Sequence, residues 1–197
     1  QEDEVEWKSG VLEKLNIIED HKINDIGNPY ISGNGAISYS TLSKTWYRNF
    51  GNKNDDLLKK STNNFFKNIS KTKSNDRMWT IFSDNKALVK AQMVHPKNWI
   101  ALNTRATNDY KNKKSLAYLV NRYPHPYHTA FFSKNGSEMN KDEFALAELI
   151  QWIWRSAIRE GNEVDLYIPS YRMRNILISF LNNKPLDEYK TNRIWRK

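Results

Sequence analysis

Two arginines and a glutamine carry the clearest chemical pattern in the sequence. Gln151, Arg155 and Arg159 stand four residues apart in a predicted helix over residues 142–160. Side chains at that spacing lie along one face of a helix. A guanidinium group is planar and always charged, and its fork of donors fits a phosphate group. The stripe therefore predicts phosphate contact, although a solvated helix face explains the same pattern.

A second cluster of polar residues follows a predicted strand over residues 99–102. It combines small side chains with one arginine: Asn103, Thr104, Arg105, Thr107 and Asn108. In open parallel sheets, ligands bind outside the carboxyl ends of the strands. We therefore expect the cluster at a ligand-binding edge, in contact with phosphate. An ordinary polar loop is the alternative interpretation.

The elements that position these residues alternate between strand and helix. Strands are predicted over residues 11–18, 78–82, 99–102 and 164–168, and helices over residues 41–50, 55–69, 115–123, 142–160 and 173–181. The helix over residues 142–160 has a favoured N-cap, Asn140, and a glycine stop, Gly161. The alternation favours an α/β fold with a mostly parallel sheet and flanking helices. Turn residues before position 36 predict an N-terminal arm over residues 1–36, followed by an α/β domain over residues 37–197.

The charge of the chain points to a polyanionic partner. The chain has 197 residues, no cysteine and a net charge of +9. Residues 1–30 carry −5, so the rest of the chain carries +14. A surplus of this size attracts nucleic acid, although solubility alone also explains it. No apolar run is long enough for a membrane helix, so we expect a cytoplasmic protein. A chain that begins with Gln1 is expected to be a fragment.

Other catalytic chemistries have weak support in the sequence. His125 and His128 lie three residues apart, between prolines and without a nearby acid, which favours a surface turn over a metal site. The carboxylates are too scattered for a metal-dependent nuclease. No Gly-x-Ser-x-Gly motif marks a nucleophilic serine. We therefore predict no metal site and no hydrolytic triad.

Both polar clusters resemble neighbouring motifs of superfamily-two helicases. The pattern Gln-x-x-x-Arg-x-x-x-Arg, then Gly161 and the strand ending in Tyr-Ile-Pro-Ser, resembles the last conserved motif of the second RecA-like domain. Residues 102–110 resemble the motif before it, and the run over residues 78–174 is similar to phage- and plasmid-type helicases. The resemblance implies a RecA-like fold. It implies nucleotide contact by the arginine stripe, and nucleic-acid contact by the cluster after residue 102 together with Arg172 and Arg174.

The chain departs from that family in two respects. Its arginines are four residues apart instead of three, which leaves open whether Arg155 or Arg159 is the arginine finger. It also lacks the phosphate-binding motif Gly-x-x-x-x-Gly-Lys-[Ser/Thr]. We therefore expect ATP and Mg²⁺ to bind only together with a partner RecA-like domain that supplies the phosphate loop in cis or in trans. Nucleic acid, DNA rather than RNA, is the expected partner. The alternative is a stand-alone, non-enzymatic module that binds nucleic acid or protein.

Overall fold

The computed structural model describes residues 2–104 and 108–191, and their side chains except those of residues 2–6, 50–53 and 55. The helices in this part are α1 (Glu2–Lys14), α2 (His21–Asn24), α3 (Lys44–Asn64), α4 (Pro126–Lys134), α5 (Lys141–Ile153) and α6 (Tyr171–Leu181). The strands are β1 (Leu15–Ile17), β2 (Tyr30–Ile31), β3 (Ile37–Ser38), β4 (Arg77–Thr80), β5 (Ser115–Tyr118) and β6 (Val164–Tyr167). Among the described residues, every helix is too short or too polar to cross a membrane.

A parallel sheet lies at the centre of the fold. Its strands follow the order β1-β6-β5-β4, and each neighbouring pair is parallel. Every residue of β4 and β5 is buried. Burial on both faces is typical of parallel strands covered by helices. The predicted α/β class with a mostly parallel sheet is confirmed. β2 and β3 form a separate antiparallel pair.

Successive side chains of the strands point to two different cores. Leu116 of β5 shares one buried cluster with Leu149 of α5 and Leu177 of α6. The next residue along the strand, Ala117, lies in the opposite cluster with Leu58 of α3. The helices therefore cover the sheet from both sides. The connecting loops lie at the two ends of the strands, which we call the amino edge, where the strands begin, and the carboxyl edge, where they end.

The predicted helix over residues 142–160 ends early, at Ile153. The N–H group of Ala157 donates to the carbonyl of Lys113 at 2.9 Å, just before β5. A short 3-10 turn over Ala157–Glu160 follows, and the Ser156 hydroxyl accepts from one of its N–H groups. A tertiary hydrogen bond thus replaces the last helical turns. Gly161 ends the segment in the left-handed region at φ 72°, as its residue type predicts.

The helix predicted over residues 115–123 is wrong, because this segment forms β5 and its buried continuation. The N–H group of Leu119 donates to Thr80 at 3.0 Å, and that of Asn121 donates to Leu42 at 2.9 Å. A short, continuous apolar run fits a buried strand as well as a buried helix, so periodicity does not separate them. The strand predicted over residues 99–102 is reduced to one bridge between Trp79 and Trp99.

Residues of the predicted N-terminal arm contact the main sheet. β1 is the outer strand of that sheet and pairs with β6. The following residues cover the carboxyl ends of the strands, where the Tyr167 hydroxyl donates to the carbonyl of Ile23 at 2.5 Å. Gly27 lies so close to Pro169 that a Cβ atom would stand 1.8 Å from the proline carbonyl oxygen. Residues 15–27 are therefore packed against the strands, and the division at residue 36 stays a prediction.

Candidate nucleic-acid interface

Arg155 is a buried residue that holds a loop in place. Its side chain donates from both terminal nitrogens, Nη1 and Nη2, to the carbonyl of Leu102 at 3.4 Å. The residue is 9% exposed. Burial lowers the pKa of its guanidinium group, against the opposing charge of Glu148. Arg155 therefore positions the loop that was predicted to bind phosphate and does not itself face solvent.

Arg159 and Asn108, predicted from two separate motifs, come together in the structure. The Arg159 Nη2 atom donates to the Asn108 Oδ1 atom at 2.5 Å. Arg159 also lies 3.6 Å from the carboxylate of Glu160, and its side chain is 30% exposed. Gln151 is exposed on the last turn of α5, but the helix ends before it can share a stripe with the two arginines.

Asn108 is the member of the predicted polar cluster that lies near the beginning of the strands, and not at their carboxyl ends as predicted. Asn103 is exposed and Thr104 is half-buried, and Arg105 and Thr107 lie outside the described residues. The segment after Asn108 leads into β5, where the Lys114 N–H group donates to the carbonyl of Asp76 at 2.7 Å. The Asn108–Arg159 pair therefore lies near the edge where the strands begin, because Asn108 precedes β5 and Arg159 precedes β6 by a few residues.

Arg172 is fully engaged inside the protein. It is 2% exposed, and its five N–H donors reach four residues. The acceptors are the side chains of Asp142 and Asn121 and the carbonyls of Arg122 and Lys141, at 2.6–2.9 Å. The guanidinium group also lies 4.2 Å from the centre of the Tyr123 ring. No N–H group of Arg172 is left for a phosphate, so the residue ties α5 and α6 to the end of β5.

Arg174 has a similar structural role two residues further along α6. Its Nη1 atom donates to the carbonyls of Ile168 and Pro169 at 2.7 and 3.0 Å. Burial lowers the pKa of the Arg174 guanidinium group. Arg172 and Arg174, predicted to contact nucleic acid, thus both stabilise the carboxyl edge of the sheet.

The carboxyl edge is covered by the protein's own chain. The side-chain amide of Asn121, at the end of β5, donates to the carbonyls of Tyr39 and Thr41 at 2.7 and 3.0 Å. Gly27 lies against the segment that follows β6. The edge at which open parallel sheets usually bind ligands is therefore closed over these strands.

The amino edge, where the strands begin, carries a cluster of lysines that the sequence motifs did not indicate. We define the amino-edge basic surface by its lysines: Lys71, Lys73, Lys97, Lys111, Lys113 and Lys114. The segments meet at Asn75, whose carbonyl accepts from Lys113 Nζ at 2.5 Å and whose Oδ1 atom accepts from Lys97 Nζ at 3.5 Å. The Ser115 hydroxyl donates to the Ser70 hydroxyl at 2.7 Å, which joins the segment before Lys71 to the segment after Lys114.

The lysines of this surface give it a positive charge, which the neighbouring carboxylate of Asp76 opposes in part. All of its lysines except the half-buried Lys113 are exposed. Burial lowers the pKa of Lys113, and the charge of Lys97 lowers it further, against the opposing charge of Asp76. Within the residues that the structure describes, none of the six lysines forms an ion pair with a carboxylate. The short lysine-rich stretches at residues 71–73 and 111–114 were the signal in the sequence.

A cavity of about 870 Å³ opens beside the basic surface, shares Lys114 with it and is also lined by Thr72, which lies between Lys71 and Lys73. Its remaining charged residues have both signs: Glu13, Lys14, Glu163 and Asp165. Asn16 donates to Asp165 at 2.7 Å within this wall. Among the described residues, no group of three or more histidine and acidic side chains is placed to hold a metal ion. The cavity is thus a polar groove of mixed charge next to the basic surface.

A parallel sheet with helices on both faces defines a Rossmann-like α/β protein. The chain belongs to the family described as the YonV C-terminal Rossmann-like domain, whose model matches residues 9–181. It is 38% identical over 180 residues to the SPbeta prophage-derived uncharacterized protein YonV of Bacillus subtilis (strain 168). The aligned region covers 90% of this chain and 40% of that protein, so the chain spans less than half of its relative's length. No solved structure matches the chain.

The family bears on the helicase resemblance only in part. The Rossmann-like fold and the prophage origin of the relative agree with a phage-type α/β domain. A helicase activity does not follow from either comparison. The function of the domain is therefore argued from the chemistry of its surface.

Proposed function

We propose that this domain binds nucleic acid through the phosphate backbone, at the amino-edge basic surface. The observation that carries the proposal is the convergence of six lysines from three loops without an ion pair among the described residues. A lysine ammonium group on a flexible stem suits phosphates as a point charge. Such contacts give affinity without reading the base sequence. The partly exposed Arg159 side chain lies in the segment that bonds to Lys113 and adds a guanidinium group beside this surface.

A charge-reversal variant tests this proposal. The double variant Lys111→Glu, Lys114→Glu reverses two exposed positive charges at the amino edge. Lys22→Glu, Lys44→Glu is the matched control, because both lysines are exposed near the carboxyl edge and the change in net charge is the same. Binding is measured by fluorescence anisotropy with a labelled oligonucleotide at increasing salt. We expect wild-type dissociation constants in the micromolar range at low salt, as for non-specific binding.

The two variants are expected to behave differently. The amino-edge variant should lose about tenfold or more in affinity, and the slope of log K against log salt should fall by about 2, one for each lost phosphate contact. The carboxyl-edge variant should stay within about threefold of the wild type, since distant surface charges are screened at moderate salt. Absence of wild-type binding at low salt, or equal loss in both variants, contradicts the proposal.

A second candidate function, the nucleotide-sensing half of an ATP-dependent helicase, is favoured by the Asn108–Arg159 contact. The two segments that resemble consecutive helicase motifs meet at this pair. Because Arg155 is buried against Leu102, Arg159 is the residue that we assign as the arginine finger. ATP and Mg²⁺ would then bind between this domain and a partner domain that supplies the phosphate loop.

The helicase candidate is tested in a complete protein or complex that turns over ATP. Replacement of Arg159 by lysine keeps the charge and removes the guanidinium fork. Loss of an arginine finger lowers turnover by about 10³-fold. Asn162→Ala, at an exposed position three residues further along the chain and outside the motif, separates a finger from a general surface effect. If Arg159→Lys leaves turnover unchanged, the domain is a binding module without a nucleotide role.

A further inference from the structure

Helix α4 presents its aromatic side chains to solvent. None of its residues is buried. Tyr127 is 70% exposed, Phe131 56% and Phe132 40%. These rings are three of the six large hydrophobic side chains that are exposed among the described residues. An aromatic group contributes most to a fold when it is buried, so three exposed rings on one short helix indicate an interaction surface.

Helix α4 has favourable capping interactions at both ends. The His125 side chain accepts from the Tyr127 N–H group at 3.2 Å, and Pro126 occupies the first turn. At the other end, Asn135 N–H groups bond back to the helix and Gly136 takes φ 73°. Proline at the start and a left-handed glycine at the end are the favoured signals for a helix of fixed length. The rings therefore stand on a preformed support.

The arrangement of the rings is a convex ridge. Tyr127 and Phe131 are four residues apart and lie along one side of the helix. The Phe131 and Phe132 ring centres are 6.0 Å apart at an interplanar angle of 87°. The imidazole of His128 lies 6.0 Å from the Tyr127 ring. The exposed ring faces of such a ridge offer flat apolar surfaces to flat ligands.

The charge around the ridge selects a polyanion among the flat ligands. Residues 121–137 contain no aspartate or glutamate. Arg122 is paired with Glu148 at 2.7 Å, so Lys134 in the last turn of α4 supplies the positive charge on the helix itself. Bases stack on exposed aromatic rings without regard to sequence, provided that their faces are free. Base faces are free in a single strand and covered in a duplex. Both the chemistry and the charge of the ridge therefore match single-stranded nucleic acid.

We propose that Tyr127, Phe131 and Phe132 of α4 form a base-stacking site for single-stranded nucleic acid. The proposal rests on the nucleic-acid binding proposed above and adds a preference for unpaired strands. The site is separate from the amino-edge basic surface, because α4 follows the carboxyl end of β5. Lysines at one edge supply affinity for any phosphate backbone, and rings at the other edge distinguish the single strand.

The test compares two triple variants on one labelled sequence, offered as a single strand and as a duplex. Tyr127→Leu, Phe131→Leu, Phe132→Leu removes the rings and keeps apolar side chains. Tyr127→Phe, Phe131→Tyr, Phe132→Tyr keeps all rings and is the matched control. The leucine variant should lose about tenfold or more in single-strand affinity and less than about twofold in duplex affinity. The ring-preserving variant should bind as the wild type does. A 2-aminopurine base in the strand should be quenched by the wild type and the control alone.

The outcomes separate this inference from the function on which it rests. If the leucine variant keeps single-strand affinity while Lys111→Glu, Lys114→Glu loses it, the stacking site is refuted and nucleic-acid binding stands. If no variant and no wild-type protein binds either form, both proposals fail. Equal loss for single strand and duplex also refutes stacking. Self-association of the wild type in sedimentation that the leucine variant loses would refute stacking and assign the ridge to a second copy of the chain. Thermal unfolding within about 2 °C of the wild type verifies that each variant is folded, as expected at exposed positions.

Discussion

Replacement of Arg172 by methionine is expected to destabilise the fold and to leave the ligand-binding surfaces untouched. Methionine keeps the length and the apolar body of the side chain but none of its donors. In the wild type, the guanidinium group binds the carboxylate of Asp142 at 2.6 Å, and the two side chains are 2% and 12% exposed. The variant therefore removes one partner of a nearly buried ion pair.

The structure gives the size of the effect. Asp142 keeps only the Tyr189 hydroxyl at 3.2 Å and the Lys190 ammonium at 3.9 Å among its side-chain partners in the described residues. Asn121 and two backbone carbonyls lose their donor as well. Removing one partner of a buried pair costs about 3–5 kcal/mol, because the other charge stays buried. At about 2–4 °C per kcal/mol for a chain of this size, the melting temperature should fall by about 6–20 °C.

Thermal unfolding followed by far-UV circular dichroism measures this effect, with urea midpoints as a second readout. Arg159→Met is the matched control, since the same replacement at a partly exposed site should change the melting temperature by less than about 2 °C. The double variant Arg172→Met, Asp142→Leu should recover part of the loss, because no unpaired charge remains. If Arg172→Met leaves the melting temperature within 2 °C of the wild type but abolishes nucleic-acid binding, the reasoning is refuted and Arg172 contacts the ligand.

Three further predictions concern stability. Gly27→Ala places a Cβ atom 1.8 Å from the Pro169 carbonyl oxygen and should cost about 3 kcal/mol. Arg155→Ala leaves the Leu102 carbonyl without its donor and should cost about 1–3 kcal/mol, against about 0.5 for Arg159→Ala. Burial raises the pKa of several tyrosines, among them Tyr47, Tyr118 and Tyr167. Tyrosine ionises near pH 10 in the unfolded chain, so the contribution of these three phenols is complete below pH 10. Above pH 10, these three alone should lower stability by up to about 4 kcal/mol per pH unit, as measured by urea unfolding at each pH.

Each of these predictions has a control and a contrary result. Gly10→Ala, with nothing within 4 Å of the added atom, should stabilise α1 by about 0.5–1 kcal/mol, and a stable Gly27→Ala protein would disprove the close contact. Equal costs for Arg155→Ala and Arg159→Ala would mean that both side chains are solvated. As the pH is raised, tyrosinate absorbance should first report the ionisation of the exposed tyrosines. Full titration of all tyrosines in the folded protein near pH 10 would show that the three phenols are not buried.

Local residue chemistry was sufficient for the fold class and for several element ends. The Asn140 side chain accepts from the Asp142 and Glu143 N–H groups, as its position predicted. Gly161 ends the segment after α5. The run over residues 164–168 forms β6, and α6 follows it. These signals act within a few residues, so they are readable without knowledge of distant contacts.

The candidate site was predictable only in part. The sequence selected Asn108 and Arg159 from separate motifs, and the structure joins them. The same reasoning took Arg172 for a surface ligand, although it is the buried centre of a hydrogen-bond network. An arginine on a helix has the same pattern in both cases, because burial depends on which segments pack above it. Those segments, around Asn121 and Asp142, are distant in sequence.

By itself, the sequence determined an α/β protein with a basic net charge and the position at which its clearest helix begins. Only the tertiary structure decided that α5 stops at Ile153, where a hydrogen bond from Ala157 to Lys113 competes with the helical bond. It also decided that residues 115–118 are a central strand, since two neighbouring strands satisfy their backbone groups. The tertiary structure also formed the basic surface. Three loops that are distant in sequence lie together where the parallel strands begin, so the positive charges of their lysines act on the same ligand.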